Sequence, residues 1–289
     1  MAEVKRKSRS QWEEIWRRLL KNKGAMIGMA ITLVLCVIAL SADFIYDYNT
    51  EVINQDIVNR FQPPSAKYPF GTDNFGRDIF KRIVYGTKYS LTIGVAATLL
   101  STVFGLVLGS VAGYFGGILE DVIMRVLDVF GAIPNLLMGM VIVSALGANS
   151  LTLIIALAVS NTPYMSRIVR ASVLTVRNSE YVESARSIGI PEWKIILKYI
   201  IPNCMSPIIV AVTLRVGGNI ISASSLSFLG LGVAAPTPEW GSMLSDGRNF
   251  IRGYPYITLY PGLAIMITVL ALNMFGDGLR DAMDPKLRR

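Results

Sequence analysis

The sequence contains no histidine among its 289 residues. This absence excludes His-based general-base catalysis, Ser-His and Cys-His nucleophile systems and HExxH zinc sites. The sequence also lacks a Gly-x-x-x-x-Gly-Lys-Ser/Thr loop, so the chain does not hold ATP in the P-loop manner. We therefore expect a conduit or scaffold and not an enzyme, with no cofactor or metal bound by this chain.

Cysteine and charge are also scarce. Cys36 and Cys204 both fall in or beside apolar runs, so we predict no disulfide and no cysteine-based metal site. Charged residues make up 17% of the chain and hydrophobic residues 52%. The hydrophobic residues cluster in blocks of about 20, a length that crosses a hydrocarbon core of about 30 Å. The composition thus indicates an all-α membrane protein.

Apolar runs predict six transmembrane helices. Lys and Arg are concentrated in residues 1–23 and between the fourth and fifth spans, and such an excess marks the cytoplasmic side. Both termini, including the tail 280–289, are then cytoplasmic, and the polar segment 46–88 is extracytoplasmic. Residues 89–279 form a core of five spans after the first. The six predicted spans are 24–45, 89–114, 118–146, 151–173, 204–231 and 257–279.

The net charge of +8 does not indicate nucleic acid. A nucleic-acid binder carries its basic residues on a soluble folded platform, whereas here they lie before the first span and between later ones. We expect the lipid bilayer as a partner and no nucleic acid.

A charged segment at 177–203 interrupts the apolar chain, and we refer to it as the hairpin. Ser179 is a candidate N-cap, Gly189 is a residue type that commonly ends a helix in the left-handed conformation, and Pro191 suits the first turn of a second helix. The pattern predicts two short helices that dock on a partner in the water. The alternative is an amphipathic helix lying on lipid headgroups, which Glu183 and Glu192 oppose.

The second predicted helix of the hairpin has an apolar face. Hydrophobic residues recur there at the spacing of one side of a helix. The residues of this face are Trp193, Ile196, Leu197 and Ile200.

The hairpin contains Glu183-Ser-Ala-Arg-Ser-Ile-Gly189, followed by Ile201-Pro202. This pattern resembles the EAA signature of the membrane subunits of bacterial ABC importers, with mild departures at Ser184, Tyr199 and Ile201. In that family the loop is a coupling helix that seats in a cleft of a cytoplasmic ATPase subunit. The coupling residues that the resemblance implies are Glu183, Ser184, Ala185, Arg186, Gly189, Ile201 and Pro202.

Other segments are similar to the "C" permease of the dipeptide, oligopeptide and nickel group. They include Tyr68-Pro-Phe-Gly-Thr-Asp-Asn-Phe-Gly-Arg-Asp78 and Gly276-Asp-Gly-Leu-Arg-Asp-Ala-Met-Asp-Pro285. The resemblance implies a type I ABC importer permease fold in a bacterial or archaeal plasma membrane. It also implies a homologous second permease, two ATPase subunits that bind ATP and Mg, and an extracytoplasmic substrate-binding protein.

The resemblance implies di- or oligopeptides as cargo, with nickel or nickel chelates as the alternative, and the positive charge of Arg215, which opposes a metal cation, favours peptides. A more distant alternative is a channel or secondary transporter that works without ATPase subunits, although such a protein has no need of a docking hairpin. A third is an intramembrane enzyme using Asp277 and Asp281, but a solvated helix end explains this pair.

Several residues inside the spans are candidates for function or packing. Arg215 is the one strong charge well inside the fifth span, so it is a candidate to line the pathway and meet a peptide carboxylate. The alternatives for Arg215 are a structural ion pair or snorkelling to an interface. Asn161 and Asn219 are further candidates for the pathway, and both also suit helix–helix hydrogen bonding.

Two more sets of residues carry expectations. Gly105, Gly109 and Gly113 share one face of the second span and predict close packing of a neighbouring helix. Trp240 is expected either to anchor a loop at the membrane interface or to contact the binding protein.

Overall fold

A computed structural model describes residues 11–284. The chain is all-helical in this range, where the only bridge between extended segments joins Thr72 to Asp78. The α-helices are α1 Gln11–Lys21, α2 Lys23–Ile45, α3 Ile79–Phe115, α4 Gly117–Gly131, α5 Asn135–Leu146, α6 Ser150–Val176, α7 Glu180–Ser187, α8 Glu192–Ile195, α9 Ile201–Leu226, α10 Trp240–Gly247 and α11 Tyr256–Met283.

Four helical stretches are long and apolar enough to cross a membrane. They are α2, α3, the continuous run Glu192–Leu231 and α11. The pair α4 and α5 makes a fifth if it counts as one span. Helix α6, which contains the predicted span 151–173, does not pass this test. The six spans and the cytoplasmic location of the termini stay predictions.

The predicted span 118–146 is not one continuous helix. Helices α4 and α5 meet at an angle of 84° across a short break. Pro134 lies in this break with an extended backbone (ψ 133°). Proline has no N–H to donate and disfavours helical geometry in the residue before it, so the helix ends here. The predicted span 118–146 therefore contains two helices, and its crossing of the membrane as one span stays a prediction.

Helix α3 is longer than the predicted span 89–114. It has 37 residues, or about 55 Å at 1.5 Å per residue, which exceeds a hydrocarbon core of about 30 Å. It begins at Asp78, whose carboxylate accepts hydrogen bonds from the backbone N–H groups of Phe80 (2.8 Å) and Lys81 (3.3 Å). The segment predicted as an extracytoplasmic loop thus includes the first turns of this helix.

Helix α3 packs closely against α6 through glycine. Gly105, Gly109 and Gly113 face α6, and a Cβ atom added at Gly105 would lie 2.6 Å from the Cβ of Met165. At Gly109 it would lie 2.5 Å from the carbonyl oxygen of Ser166. No side chain fits at these separations, so the glycines set the distance between the two helices.

Two connecting segments fold together over one end of the bundle, and we call residues 46–78 and 232–255 the cap. Trp240 lies in it, 1% exposed, with its indole N–H donating to the carbonyl of Ile83 at 3.1 Å. Both roles expected for Trp240 need an exposed ring, so both were wrong. The indole instead fills the space between α10 and α3.

The hairpin and the described ends of the chain lie together at the other end of the bundle. Ile15 and Leu19 of α1 pack against Leu279 and Met283 at the end of α11. Helix α11 runs antiparallel to α9, and α9 follows directly from the hairpin. The arrangement brings α1, the end of α11 and the hairpin to one side.

Candidate functional site

The hairpin folds as two short helices joined by a glycine turn. Gly189 has a φ of +77° and follows α7. The N–H of Gly189 donates to the carbonyl of Arg186 at 3.0 Å, and the N–H of Ile190 donates to that of Ala185 at 3.1 Å. This pair of bonds is the Schellman motif, which needs a left-handed residue at the glycine position. The bend is therefore defined by backbone hydrogen bonds and is not a flexible link.

The start of each hairpin helix differs from the sequence prediction. Ser179 occupies the N-cap position of α7, but its hydroxyl donates to the carbonyl of Val176 at 2.7 Å and caps no N–H. The predicted side-chain cap was wrong because a closer acceptor lies at the end of α6. Pro191 sits at the N-cap of α8, just before the first turn predicted for it.

One side of the hairpin is buried against the membrane helices. Val182 and Ala185 of α7 and Ile195 of α8 are at most 4% exposed. They pack with Tyr114 of α3 and Val173 of α6 in one apolar cluster. The small side chain of Ala185 lets α7 lie close to its own bundle, so the hairpin is fixed to the end of α3 and α6.

A polar cluster reinforces this attachment. The guanidinium of Arg186 donates to the hydroxyl oxygen of Tyr114 at 3.0 Å, and that hydroxyl donates to the carboxylate of Glu192. The Arg186 Nε atom also lies 3.8 Å from Glu192 Oε1. Arg177 donates to the carbonyl of Gly113 at 2.9 Å. Sequence reasoning missed Tyr114 and Arg177, because these contacts join parts of the chain that are distant in sequence.

The opposite side of the hairpin is exposed. The apolar face predicted for its second helix is divided, because Ile196 and Ile200 point into the core whereas Trp193 and Leu197 are 60% and 58% exposed. Ile188, at the turn, is 77% exposed. Large exposed apolar side chains grouped on a polar segment mark a surface for another molecule.

The remaining predicted coupling residues lie on or beside this surface. Glu183 and Ser184 are exposed on α7, and within residues 11–284 no side-chain partner holds the Glu183 carboxylate. Ile201 packs partly against the apolar cluster, and Pro202 is exposed in the first turn of α9. Glu183 is therefore available to a basic group on a partner.

The structure brings Asn161 and Asn219 into direct contact inside the bundle. The Asn161 amide donates to Asn219 Oδ1 at 2.7 Å, and the Asn219 amide donates to Thr98 Oγ1 at 2.8 Å. Both asparagines are at most 3% exposed. The three residues connect α3, α6 and α9, an arrangement that suits helix–helix hydrogen bonding. A place for either asparagine in the pathway stays a prediction.

Arg215 has a different environment. It is half-buried on α9, and its guanidinium carbon lies 4.0 Å from the ring centroid of Tyr164 on α6. Its Nε atom is buried without a hydrogen-bond partner. No carboxylate of the described chain forms an ion pair with Arg215, so the alternative of an internal structural pair finds no partner in residues 11–284.

The amino-acid sequence is similar to those of known transport proteins. A family model described as "Binding-protein-dependent transport system inner membrane component" matches residues 105–289. A second, the "N-terminal TM domain of oligopeptide transport permease C", matches residues 10–64. The dipeptide transport system permease protein DppC of Alkalihalophilus pseudofirmus is 44% identical over 279 residues, which cover 96% of this chain and 91% of that protein.

A second relative in sequence and one solved structure with a similar fold are also permease proteins or transporters. The glutathione transport system permease protein GsiD of Pectobacterium atrosepticum is 41% identical, with 97% of this chain and 93% of that protein covered. The inward-facing MetNI methionine ABC transporter is similar in fold, with a TM-score of 0.57 at 17% identity over 70% of this chain and 96% of that one. The chain therefore belongs to the inner membrane components of binding-protein-dependent transport systems, the permease subunits of ABC importers.

Proposed function

We propose that the chain forms half of the membrane pathway of an ATP-driven importer of di- or oligopeptides and that its hairpin docks on a cytoplasmic ATPase subunit. A homologous second permease supplies the other half of the pathway. Two ATPase subunits bind ATP and Mg, and an extracytoplasmic binding protein delivers the peptide. The complex resides in a bacterial or archaeal plasma membrane.

The two-sided hairpin is the observation that carries the coupling proposal. Its inner side is fixed to α3 and α6, and its outer side leaves Ile188, Trp193 and Leu197 exposed. A rigid element that is buried on one side and apolar on the other transmits a displacement of its partner to the helices behind it. A flexible loop would absorb that displacement.

The peptide cargo is supported by the relatives, which are named for dipeptide and glutathione transport. Glutathione is itself a short peptide. The alternative of nickel or a nickel chelate is less favourable, because a free metal cation would be repelled by Arg215, the strong charge midway along α9.

Reconstitution and cross-linking together test the proposal. The chain is assembled in proteoliposomes with a candidate second permease, ATPase subunits and binding protein, and ATP-dependent uptake of a labelled dipeptide is measured beside that of radioactive nickel. In parallel, a photo-reactive amino acid replaces Ser184, and the matched control replaces exposed Ala66 in the cap.

We expect ATP-dependent peptide uptake and a cross-link from position 184, but not from position 66, to an ATPase subunit. Nickel uptake without peptide uptake would establish the alternative cargo. Uptake that persists without any ATPase subunit, with no cross-link from position 184, would overturn the coupling proposal in favour of a channel or secondary transporter.

A further inference from the structure

An arginine without a carboxylate partner lies midway along a membrane helix. Arg215 belongs to α9, which has 26 residues, and the ring of Tyr164 is 4.0 Å from its guanidinium carbon. Its Nε atom is buried and unbonded, and no acidic side chain of residues 11–284 forms an ion pair with it. A guanidinium has five N–H donors, so most of its hydrogen-bonding capacity is unused.

The surroundings of Arg215 form a strip of small and polar residues. Gly218, Ser222 and Ser225 follow it at helical spacing, and all three are partly exposed. The strip leads toward the cap and ends at an open, mostly apolar cavity of about 400 Å³ between α9, α10 and α11, whose lining includes Ile221, Phe228 and Ile265 beside Ser224 and Ser225. The Ser225 hydroxyl donates to the carbonyl of Ile221 at 2.8 Å, so the serines alone do not decide what this side of α9 faces.

The charge of Arg215 indicates what this side of α9 faces. A guanidinium facing the bilayer centre is strongly unfavourable, so ionisable residues within spans face a bundle interior or a water-filled cavity. The ring of Tyr164 covers one face of the guanidinium, where cation–π attraction holds a cation in place. The planar edge, which carries the N–H groups, remains for an anion that enters along the strip.

We propose that Arg215, held by Tyr164, is a transit site for the terminal carboxylate of the transported peptide. This inference rests on the proposed function, since it assumes that the cargo is a peptide. A carboxylate fits a guanidinium through two parallel hydrogen bonds, and every unmodified peptide has one whatever its side chains. Such a site recognises peptides as a class without reading their sequence.

The site also allows the bound peptide to be released, as a transport pathway requires. A pathway must bind its cargo well enough for entry and weakly enough for release. When the peptide leaves, Tyr164 remains against the guanidinium, so Arg215 is not left without any contact. A permanent carboxylate partner on α3, α6 or α11 would instead neutralise the arginine, and the described helices provide none.

The test uses the complete complex in proteoliposomes. Uptake of a dipeptide is compared with uptake of its C-terminal amide, each at a concentration that saturates the binding protein. The variants are Arg215→Gln, Arg215→Lys and Tyr164→Leu, with Tyr164→Phe as the control that keeps the ring. Complex assembly by size-exclusion chromatography and ATPase activity stimulated by the binding protein are measured for each.

We expect the wild-type complex to take up the acid faster than the amide, by about tenfold, as for a lost hydrogen bond to a charged group. Arg215→Gln should bring this ratio near one while assembly and stimulated ATPase activity are retained. Arg215→Lys and Tyr164→Leu should lower the ratio partly, and Tyr164→Phe should leave it unchanged.

Two outcomes would overturn the inference. One is an acid-to-amide ratio in Arg215→Gln equal to that of the wild type or, if that variant does not fold, an unchanged ratio in both Arg215→Lys and Tyr164→Leu. The other is dissociation of the second permease from Arg215→Gln, which would identify the arginine as an intersubunit ion-pair residue. If the wild-type complex takes up neither peptide, the proposed function itself fails.

Discussion

Arg186 of the hairpin and Tyr114 of α3 are joined by a hydrogen bond of 3.0 Å between the guanidinium and the phenol oxygen. Tyr114 lies at the C-terminal end of a 37-residue helix whose first turns contain Arg82. The Arg82 guanidinium donates to the carbonyls of Val52 (3.3 Å) and Pro236 (3.2 Å) in the cap. One helix therefore connects the cap to the hairpin, so we expect displacements at either end to reach the other.

The Tyr114 hydroxyl can be removed without removing its ring. Tyr114→Phe deletes two hydrogen bonds and leaves the carboxylate of Glu192 and the guanidinium of Arg186 without this partner. Because Arg186 and Glu192 are about half exposed and can bind water instead, we expect a loss of only about 0.5–1.5 kcal/mol in stability of the attached hairpin and fewer peptides imported per ATP. The measurements are thermal unfolding and the ratio of uptake to ATP hydrolysis.

Tyr199→Phe is the matched control for Tyr114→Phe, because Tyr199 packs against the same apolar cluster. We expect it to leave both measurements near wild-type values. Equal effects of the two substitutions would show that the Tyr114 hydroxyl does not fix the hairpin.

Gly189 provides a test of hairpin rigidity. Its φ is +77° and an added Cβ has open space, so only backbone conformation opposes a side chain there. We expect Gly189→Val to cost about 1–2 kcal/mol locally and to uncouple ATP hydrolysis from uptake in vesicles. Gly189→Asn is the control, because asparagine adopts the left-handed region more readily than other residues. Normal peptide transport by Gly189→Val would contradict the proposal that a rigid hairpin transmits the displacement of the ATPase subunit.

The sequence predicted the features that local patterns encode. The apolar stretches placed the long helices, and Gly189 with Pro191 indicated the bend of the hairpin, since each depends on a few neighbouring residues. The break at Pro134 also has a local signal in the sequence, although the proline lies inside an apolar run. A proline in the middle of a predicted helix such as 118–146 is a local signal for a break, because it removes a backbone N–H and clashes with the preceding turn.

Contacts between distant segments could not be predicted in this way. The burial of Trp240 depends on the fit between α10 and α3, and the Tyr114–Glu192 contact joins the end of α3 to the start of α8. Neither pair has a spacing that a helix period reveals. The division of the apolar face at Trp193 likewise follows from which side of the hairpin meets the bundle.

The packing of α3 on α6 predicts an effect of added volume at Gly109. A Cβ there would lie 2.5 Å from the carbonyl oxygen of Ser166 and 2.7 Å from the Cβ of Val169. We expect Gly109→Val to destabilise the chain by about 1–3 kcal/mol or more through overpacking, measured by thermal unfolding in detergent. Gly253→Ala is the control, since no atom lies within 4 Å of its added Cβ. Equal unfolding temperatures for the two variants would contradict close packing.

A buried ion pair inside the cap and an exposed ion pair outside it should differ in their contribution to stability. Arg77 Nε lies 2.6 Å from Asp73 Oδ2, with side chains 2% and 7% exposed, whereas Lys88 and Asp43 form a pair at the surface. Arg77→Gln removes the nearer of two guanidiniums beside the buried Asp73 carboxylate, and Arg82 stays 3.8 Å from it, so we expect a loss of up to about 3–5 kcal/mol. Lys88→Gln should cost about 0–1 kcal/mol. Similar losses of stability for the two variants in thermal unfolding would show that burial does not make the Arg77–Asp73 pair more important than the exposed pair.

Glu239 predicts a pH dependence of stability. Burial raises the pKa of its carboxyl group above the ordinary value, although the N–H groups of Gly241 (2.9 Å) and Ser242 (2.8 Å) donate to it. The folded chain therefore binds this proton more tightly than the unfolded chain does. The resulting stabilisation is complete below the unfolded pKa of about 4.3 and is lost as the pH rises through the folded value.

Glu239→Gln removes this titration, so the unfolding temperature of the variant should fall less than that of the wild type as the pH rises above about 4.3. Glu51→Gln is a control of opposite sign. The Lys81 ammonium holds the pKa of Glu51 below its usual value, so the wild-type carboxylate stabilises the fold above the unfolded pKa and loses this effect as the pH falls. Its removal should therefore lower stability at neutral pH more than in acid. If Glu239→Gln and wild type show parallel curves of unfolding temperature against pH, the buried carboxyl group does not titrate with unfolding, and its burial in the cap does not raise its pKa as we infer.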